Sequence, residues 1–311
     1  MIVVRANESI LQDVELVATI GFFDGVHLGH RYLIEQVKQE ARIRACKSAV
    51  VTFSIHPRKV LQADFQPLLL TSYDEKLHQL ETTGVDYCIV LDFSIQMSQL
   101  TAYQFLSEVL YRKYTVRALF IGHDHRFGHN RSEGFDDYQK YGTEIGIKIV
   151  SANRFSLPEY SHVSSSEIRH ALQTGDVRKA SALLNYLYCF EGVVTDGFKI
   201  GRKIGFPTAN IKPLDAEKLI PAAAVYAVRV NFNDDIYAGM MNIGIRPTMN
   251  NGLDTSLEVN IFDFNYDIYH QKIGVCLIVK IRNEQKFNTV DELIMQLQKD
   301  RKKALEILSE K

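Results

Sequence analysis

The spacing of the apolar residues changes near residue 185 of this 311-residue chain, and that change constrains the fold more than any other feature. Before it, short apolar runs alternate with amphipathic stretches, a pattern typical of a parallel sheet with helices on both faces. After it, apolar and polar residues alternate in runs separated by Asn, Asp and Gly turns, which is typical of antiparallel strands. The sequence therefore predicts an α/β domain at residues 1–184 and an all-β domain at residues 185–311.

The first domain is predicted to be a doubly wound, Rossmann-like sheet. Five apolar runs are its expected strands: 16–20, 49–53, 87–91, 117–121 and 147–150. Two helices between them are indicated by apolar residues at helical spacing, which are Leu33, Val37 and Ala41 in one and Tyr103, Leu106 and Leu110 in the other. Two shorter helices, at 166–173 and 177–184, are expected to close the domain.

The second domain is predicted to be an antiparallel barrel or sandwich followed by one helix. Its expected strands are 225–232, 236–242, 257–262 and 275–282. Thr289 and Glu292 match a capping box at the start of the terminal helix. Four leucines of this helix are expected to face inward: Leu293, Leu297, Leu305 and Leu308.

The composition argues against several classes of protein. Lys and Arg number 36 against 37 Asp and Glu, so a nucleic-acid binder, which carries a basic face, is disfavoured. Without a signal-peptide pattern or an apolar run of about eighteen residues, we expect a cytoplasmic protein with no membrane segment. The four cysteines lie far apart and are expected to be core thiols. We expect small-molecule partners and a monomer or weak homo-oligomer.

The strongest local signal is the string GFFDGVHLGH at 21–30, which joins the first strand to a helix. The first N–H groups of a helix lack intrahelical partners and favour an anion, so this turn predicts a phosphate site. His27 and His30 can share a face of the first helical turn, and Gly29 leaves room for a nucleotide. We interpret both imidazoles as ligands of ATP phosphates, and the alternative is that they are ordinary helix-cap residues.

This string resembles that of the HxGH nucleotidylyltransferases, and its full length resembles the prokaryotic FAD synthetase branch in particular. Three further segments resemble that branch in the same order: FSIHPR at 53–58, GHDHRFG at 122–128 and SSSEIR at 164–169. The first two follow predicted strands, where open α/β sheets bind ligands. We therefore expect both loops to flank the glycine turn.

The resemblance implies two groups of ligand-binding residues in the first domain. Those expected against ATP phosphates are Gly21, Phe22, Asp24, Gly25, His27, Gly29, His30, Ser164, Ser165, Ser166 and Arg169. Those expected to contact the flavin or the nucleotide are His56, Asp124, Phe127 and Gly128. Asp124 is assigned to the surroundings of the FMN phosphate or to the ribose, and Phe127 to stacking on a planar ring; the alternative is that either residue only shapes the loop. For the serines, a plain helix N-cap is the alternative to a phosphate clamp.

A second string, GFPTAN at 205–210, ends a glycine-rich loop that is not a Walker A loop. It resembles the riboflavin kinase signature, as do NIGIRPT at 242–248 and LEVN at 257–260. The resemblance implies that Thr208 and Asn210, whose side chains point the same way on an extended segment, bind Mg²⁺. ATP phosphates are assigned to Gly201, Arg202, Lys203, Gly205, Pro207, Thr208 and Asn210. Ordinary turn residues in a solvated basic loop are the alternative.

Glu258 alternates with Leu257, Val259 and Ile261, which form one apolar face of a strand. Such a carboxylate is usually a solubilising group. The resemblance to the riboflavin kinases instead implies that Glu258 is the general base that takes a proton from the primary hydroxyl of riboflavin.

Together the resemblances cover nearly the whole chain in the order of the bifunctional prokaryotic FAD synthetases. They imply that the second domain phosphorylates riboflavin to FMN and that the first adenylylates FMN to FAD, each with ATP and Mg²⁺. The implied catalytic residues are His27, His30 and Glu258. A flavin-binding regulatory protein without turnover is the rival interpretation, and a different nucleotidyltransferase would leave the second string unexplained.

Overall fold

The computed structural model describes residues 1–8, 14–62, 64–66, 68–122, 126–129, 133–156, 160, 163–197, 200–247 and 253–309. Contacts between Cα atoms divide the chain into two units, Met1–Ser165 and Ser166–Lys311. By this division the two helices before residue 185 fall almost wholly in the second unit. No helix in the described part of the chain is long and apolar enough to cross a membrane.

A six-stranded parallel sheet forms the centre of the first unit. Its strands are β1 (Ile2–Arg5), β2 (Leu16–Ile20), β3 (Lys47–Phe53), β4 (Tyr87–Leu91), β5 (Val116–Ile121) and β6 (Lys148–Ser151). Their spatial order is β1-β4-β3-β2-β5-β6, and every neighbouring pair is parallel. The five predicted strands are therefore confirmed to within two residues at each end, and β1 is an additional edge strand.

Alternate residues of these strands face two different cores. Val51 packs in a core with residues of a π-helix, Phe105–Lys113, whereas Val50 packs in another core with residues of α1 (Leu28–Ile43). The other helices of this unit are α2 (Pro57–Leu61), α3 (Tyr73–Glu81), α4 (Ile95–Ser98), α5 (Ala102–Gln104) and α6 (Phe135–Ile145). Apolar layers on both faces confirm the doubly wound class.

One residue of the predicted helical pattern lies outside the core. Leu106 and Leu110 are fully buried, but Tyr103 is 40% exposed. The physical reason is that α5 continues into the π-helix, whose wider turn changes which residues share a face.

A closed antiparallel barrel forms the second unit, which decides between the predicted barrel and sandwich. Its strands are β7 (Cys189–Thr195), β8 (Ala209–Pro213), β9 (Ala224–Phe232), β10 (Asp235–Pro247), β11 (Leu253–Ile261) and β12 (Lys272–Asn283). Their order around the barrel is β10-β11-β8-β7-β12-β9. The associated helices are α7 (Ser165–Thr174), α8 (Val177–Leu184) and α9 (Ile200–Lys203). All four predicted strands are present, and β7 and β8 complete the ring.

The terminal helix α10 (Val290–Ser309) packs against the barrel along one face. Glu292 N–H donates to Thr289 Oγ1 at 3.2 Å, as the capping box predicts, but the Glu292 carboxylate accepts from Asn288 N–H instead of closing the box. Leu297 and Leu308 pack against the core, whereas Leu305 is 41% exposed. The inward prediction for Leu305 is wrong because at 100° per residue it lies about 80° around the helix from Leu297.

An ion pair fastens α10 to the last strand. Arg282 donates from Nε and Nη2 to Asp300 Oδ2 at 2.9 and 2.8 Å. Asp300 is only 2% exposed, and Gln296 Nε2 donates to its other oxygen at 2.8 Å. A buried carboxylate with this many donors fixes the register of the helix on β12.

Two of the four cysteines are bonded to each other, contrary to the expectation of core thiols. Cys189 of β7 and Cys276 of β12 are direct cross-strand partners and form a disulfide. Cys46 and Cys88 are free thiols. The pairing depends on strand register, which the spacing of cysteines in the sequence does not contain.

We predict that Asp300→Asn lowers the free energy of unfolding of the barrel by about 2–4 kcal/mol, because it leaves the partly buried Arg282 guanidinium without its counter-charge. Urea unfolding followed by circular dichroism measures the change. Glu306→Gln is the matched control, since it removes an exposed carboxylate from the same helix. Equal stabilities for the two variants would show that the ion pair does not hold α10.

Candidate active sites

The glycine turn lies where the strand order of the first sheet reverses. The turn leaves the carboxyl end of β2, which has β3 on one side and β5 on the other, and it enters α1 at Leu28. Such a reversal opens a crevice beyond the strand ends, where open α/β sheets bind ligands. The loops after β3 and β5, which carry two of the family-like segments, start from the same edge of the sheet.

His27 and His30 meet at the start of α1. His27 is the N-cap, and its Nδ1 accepts a hydrogen bond from the His30 N–H at 3.3 Å. The two imidazole rings stack with centroids 3.7 Å apart. Because Nδ1 accepts, the neutral His27 ring carries its hydrogen on Nε2 and can donate to an anion there. His27 therefore caps the helix and still has the chemistry of a phosphate ligand.

Asp24 anchors the glycine turn to the segment that precedes α3. Its buried carboxylate accepts hydrogen bonds from the Leu70 and Thr71 N–H groups at 3.0 and 3.1 Å. Gly25 N–H donates to Thr71 Oγ1 at 3.1 Å, and Ser165 Oγ donates to the Asp24 carbonyl oxygen at 2.9 Å. These contacts make Asp24 a shaping residue of the turn, and its contact with ATP stays a prediction.

The turn has a backbone that side chains rarely adopt. Phe23 and Val26 have φ angles of 56° and 38°, and Gly25 has a φ of 80°. A Cβ added at Gly29 would lie 3.2 Å from the His27 ring, and one at Gly21 would lie 3.1 Å from the Phe23 ring. Strain of this kind persists only where the surroundings hold the chain in place, and it is typical of binding loops.

A cavity of about 620 Å³ lies between the glycine turn and the loops after β3 and β5. Phe22, His56, Phe127 and Gly128 line it, and the Phe22 and His56 rings meet edge to face at 4.6 Å. Phe127 also stacks on Tyr138 at 4.3 Å, so packing accounts for one face of its ring. The cavity has the volume of a small-molecule site.

Four further residues were predicted to contact ATP or the flavin in the first domain. Asp124 lies outside the described residues. Ser164 is half-buried just before α7, and Ser166 and Arg169 belong to the second unit. The assignment of the two serines and Arg169 to ATP phosphates stays a prediction, as does the assignment of Asp124 to the FMN phosphate surroundings or to the ribose.

Three polar side chains lie side by side across neighbouring strands of the barrel. Glu258 of β11 pairs with Asn210 of β8 on one side and with Asn242 of β10 on the other. Directly paired residues of antiparallel strands project from the same face, with Cβ atoms about 4.5–5.5 Å apart. Leu257 and Val259 are buried while Glu258 is half-buried, so the predicted alternation is confirmed.

Two cavities meet at Thr208. One, of about 350 Å³, is lined by Glu258 and by Leu293 and Leu297 of α10. The other, of about 690 Å³, is lined by Arg202 and by aromatic residues of the loop after β11. Thr208 lines both. A group that passes from a ligand in one cavity to a ligand in the other would therefore pass this hydroxyl.

The loop before Thr208 depends on two close approaches. Phe206 N–H donates to the Gly201 carbonyl oxygen at 2.8 Å, and a Cβ at Gly201 would collide with the Phe206 carbonyl oxygen. A Cβ at Gly197 would collide with the Asn210 side chain. The other predicted residues of this loop, Lys203, Gly205 and Pro207, are exposed.

Four residues at this site were not predicted from the sequence. Asn242, Asn260, Arg282 and Glu284 line the smaller cavity. Asn260 is buried, and its Nδ2 donates to the Pro207 carbonyl oxygen at 2.6 Å, which ties β11 to the GFPTAN string. The two asparagines lie inside the family-like strings, which is a signal that could have found them. Arg282 of β12 and Glu284, just after it, line the cavity because of how β12 pairs with its neighbours, which no local sequence pattern shows.

Comparisons with known proteins agree with this division of sites. The family model described as FAD synthetase matches residues 10–167, and the one described as riboflavin kinase matches residues 184–308. A solved structure from Streptococcus pneumoniae, described as a macrolide-efflux protein, superposes with a TM-score of 0.86 at 30% identity, over 97% of this chain and 98% of the other.

Curated relatives match nearly end to end. The bifunctional riboflavin kinase/FMN adenylyltransferase of Escherichia coli K12 is 39% identical over 285 residues, which is 91% of this chain and 90% of that protein. The enzyme of the same name from Bacillus subtilis is 36% identical over 301 residues, 94% of this chain and 92% of that protein. The chain belongs to the family of bifunctional riboflavin kinases/FMN adenylyltransferases.

Proposed function

We propose that the glycine turn and the two stacked imidazoles form the adenylyltransferase site. A phosphate oxygen of FMN attacks the α-phosphorus of ATP, and pyrophosphate leaves in line. The N-terminus of α1 and the Nε2–H of His27, with His30 stacked beside it, stabilise the negative charge that grows on the reacting phosphates. The observation that carries this proposal is the His27 ring, which is fixed through Nδ1 at a helix start in the sheet crevice.

FMN is placed in the cavity of about 620 Å³. Phe22 and Phe127 supply apolar surface for the flavin, with His56 and Gly128 alongside. Arg58 also lines the cavity, as does Arg126, and a guanidinium group binds a phosphate through two hydrogen bonds. Asp124 is assigned to the FMN phosphate surroundings or to the ribose.

The serine segment at 164–169 is proposed as a clamp on the triphosphate of ATP. Ser165 Oγ already bonds the carbonyl oxygen of Asp24, which supports a position beside the glycine turn. Ser164, Ser166 and Arg169 supply the remaining hydroxyls and the guanidinium.

In the kinase we place riboflavin in the smaller cavity and ATP in the larger one. Glu258 borders the smaller cavity, Arg202 the larger, and Thr208 lies at their junction. The Glu258 carboxylate orients the primary hydroxyl of riboflavin and accepts its proton as the oxygen attacks the γ-phosphorus. The position of Thr208 between the two cavities carries this assignment. Gly201, Lys203, Gly205 and Pro207 complete the cover over the phosphates.

Mg²⁺ fits the oxygen donors present at this junction. The Thr208 hydroxyl, with the amide oxygen of Asn210 two residues further along the chain, would hold the ion, since Mg²⁺ prefers oxygen ligands and completes its shell with phosphates and water. The described residues contain no group of three His, Cys, Asp or Glu side chains that could hold a metal by themselves. When bound, the ion neutralises charge on the transferring phosphate.

The two activities are assigned to residues 1–184 and 185–311. The two family models support this division, since they end and begin at residues 167 and 184. We further propose that the protein acts in the cytoplasm as a monomer or a weak homo-oligomer and that its partners are riboflavin, FMN, FAD and ATP.

Incubation of the purified protein with riboflavin, ATP and Mg²⁺, followed by separation of the flavins, tests the two activities together. We expect FMN and then FAD. Bound riboflavin without either product would support a flavin-binding regulatory protein instead.

We predict that replacing His27 and His30 together by Ala lowers FAD formation from FMN by at least about 10²-fold, because preorganised donors to the reacting phosphates are lost. FMN formation from riboflavin should be nearly unchanged, since the kinase residues lie elsewhere in the chain. His78→Ala, which removes an exposed imidazole from α3, is the control. An equal loss of both activities in a folded double variant would contradict the separation of the sites.

We predict that Glu258→Gln lowers riboflavin phosphorylation by about 10²-fold or more, because the amide keeps the shape and loses the basicity. Adenylylation of supplied FMN should survive. Glu191→Gln, which neutralises an exposed carboxylate of β7, should leave both rates unchanged. Near-normal FMN formation by a folded Glu258→Gln protein would rule out general-base catalysis and leave positioning as the whole mechanism.

A further inference from the structure

Lys76 places a positive charge beneath the glycine turn of the first unit. It belongs to α3, and its side chain is only 2% exposed. No ion pair to its ammonium group is present in the described part of the chain. Burying an ammonium group in this way costs free energy unless its hydrogens find partners.

The Lys76 ammonium group lies close to two oxygen acceptors and to an aromatic ring. Nζ lies 2.8 Å from the Phe53 carbonyl oxygen and 3.4 Å from Thr52 Oγ1, both at the end of β3. It also lies 4.1 Å from the centroid of the Phe22 ring, well within the range of a cation–π contact. The charge is thus held between the end of a strand and the Phe22 ring, and the Tyr73 ring lies further away, with its centroid 5.9 Å from Nζ.

The Phe22 ring connects this charge to the candidate adenylyltransferase site. Phe22 lines the cavity of about 620 Å³ and meets the His56 ring edge to face. Its carbonyl oxygen accepts a hydrogen bond from Thr52 Oγ1 at 3.1 Å, so the same threonine contacts both Phe22 and Lys76. The Phe22 ring therefore contacts the ammonium group on one side and borders the cavity on another.

Stability alone does not account for a lysine at this position. Replacing a buried charged side chain by an apolar one of similar volume often leaves the stability of a protein unchanged or raises it. Methionine would fill this space without desolvation of an ion. The residues before Lys76 already anchor the turn through Asp24, which bonds the Leu70 and Thr71 N–H groups. What the ammonium adds is an attraction for the Phe22 ring itself.

We propose that Lys76 is a positioning residue of the adenylyltransferase: its ammonium group holds the Phe22 ring in the place where that ring forms a wall of the FMN cavity. The proposal rests on the placement of FMN in that cavity. Lys76 acts through Phe22, so its effect falls on the binding of FMN more than on the chemical step.

The contact depends on pH because burial lowers the pKa of Lys76 from 10.5 to about 8. Three titratable groups face it. The Asp24 carboxylate opposes the lowering of the Lys76 pKa. Burial raises the pKa of the Cys88 thiol to about 12, so this thiol is neutral near pH 8. The Tyr73 ring lies 5.9 Å from the ammonium group, and burial raises the pKa of its hydroxyl. The ammonium is charged below pH 8, so the cation–π contact is present there and is lost as the pH rises through that value.

The test compares Lys76→Met with Lys76→Arg in FAD formation from FMN, with KM for FMN and kcat measured at pH 7 and pH 9.5. At pH 7 Lys76→Met should raise KM by about tenfold, the change expected when a desolvated cation–π contact is lost, with a smaller effect on kcat. Wild type should show this rise between the two pH values, and Lys76→Met should not. Lys76→Arg should keep a low KM at both, since guanidinium stays charged.

Two further variants separate the possible failures. Phe22→Leu should raise KM as Lys76→Met does, and the double variant should add little, because both changes remove the same contact. An unchanged KM for FMN in Phe22→Leu would refute the placement of FMN in this cavity. If KM rises in Phe22→Leu while Lys76→Met behaves as wild type, only the role of Lys76 is refuted.

Lys140→Met is the matched control, since it removes an exposed ammonium group from α6. Riboflavin phosphorylation by the same samples is the reference at each pH. If Lys76→Met does not fold, Lys76→Arg decides alone: a rise of KM at pH 9.5 equal to that of wild type overturns the proposal.

Discussion

The first active site depends on how one buried carboxylate is satisfied. Asp24 lies in a turn between a strand and a helix, and a buried charge must be compensated by hydrogen bonds. The Leu70 and Thr71 N–H groups supply them. Because the carboxylate would lose these donors if the turn moved, the turn can keep its strained backbone, and the start of α1 with both imidazoles is placed against the sheet crevice.

The second candidate site depends on the register of three strands, whereas the first depends on a turn. Glu258 stands between Asn210 and Asn242 because three strands pair in one particular alignment, and a shift by one residue would turn Glu258 toward the buried face. The ion pair between Arg282 and Asp300 then sets the helix that covers the cavity. The two proposed sites thus differ in origin, since one builds its geometry from a helix start and the other from a sheet surface.

Much of this arrangement could be predicted because the signals are local. The buried strands are short apolar runs, and the two glycine-containing strings mark the loops of the two candidate sites. Three strands were missed: β1 has only four residues, β8 has only five and ends in Pro213, and β7 lies at the change of pattern between the two domains. Tyr103 and Leu305 were misjudged because a π-helix and a drift in helical phase change which side faces the core. The contacts of Lys76, Arg282 and Cys189 join distant parts of the chain, and no local pattern contains them.

The hydrogen bond from the His30 N–H to His27 Nδ1 has an evolutionary consequence. One ring nitrogen caps the helix and the other faces the ligand in the proposed site, so in that site selection for folding and selection for catalysis act on the same side chain. A lineage that lost the activity would still gain about 1 kcal/mol from a capping residue here, and Asp or Ser would supply it. If the proposed site is right, a histidine kept at position 27 in a relative would record catalytic selection, whereas another capping residue there would mark a relative that has kept the fold and lost the activity.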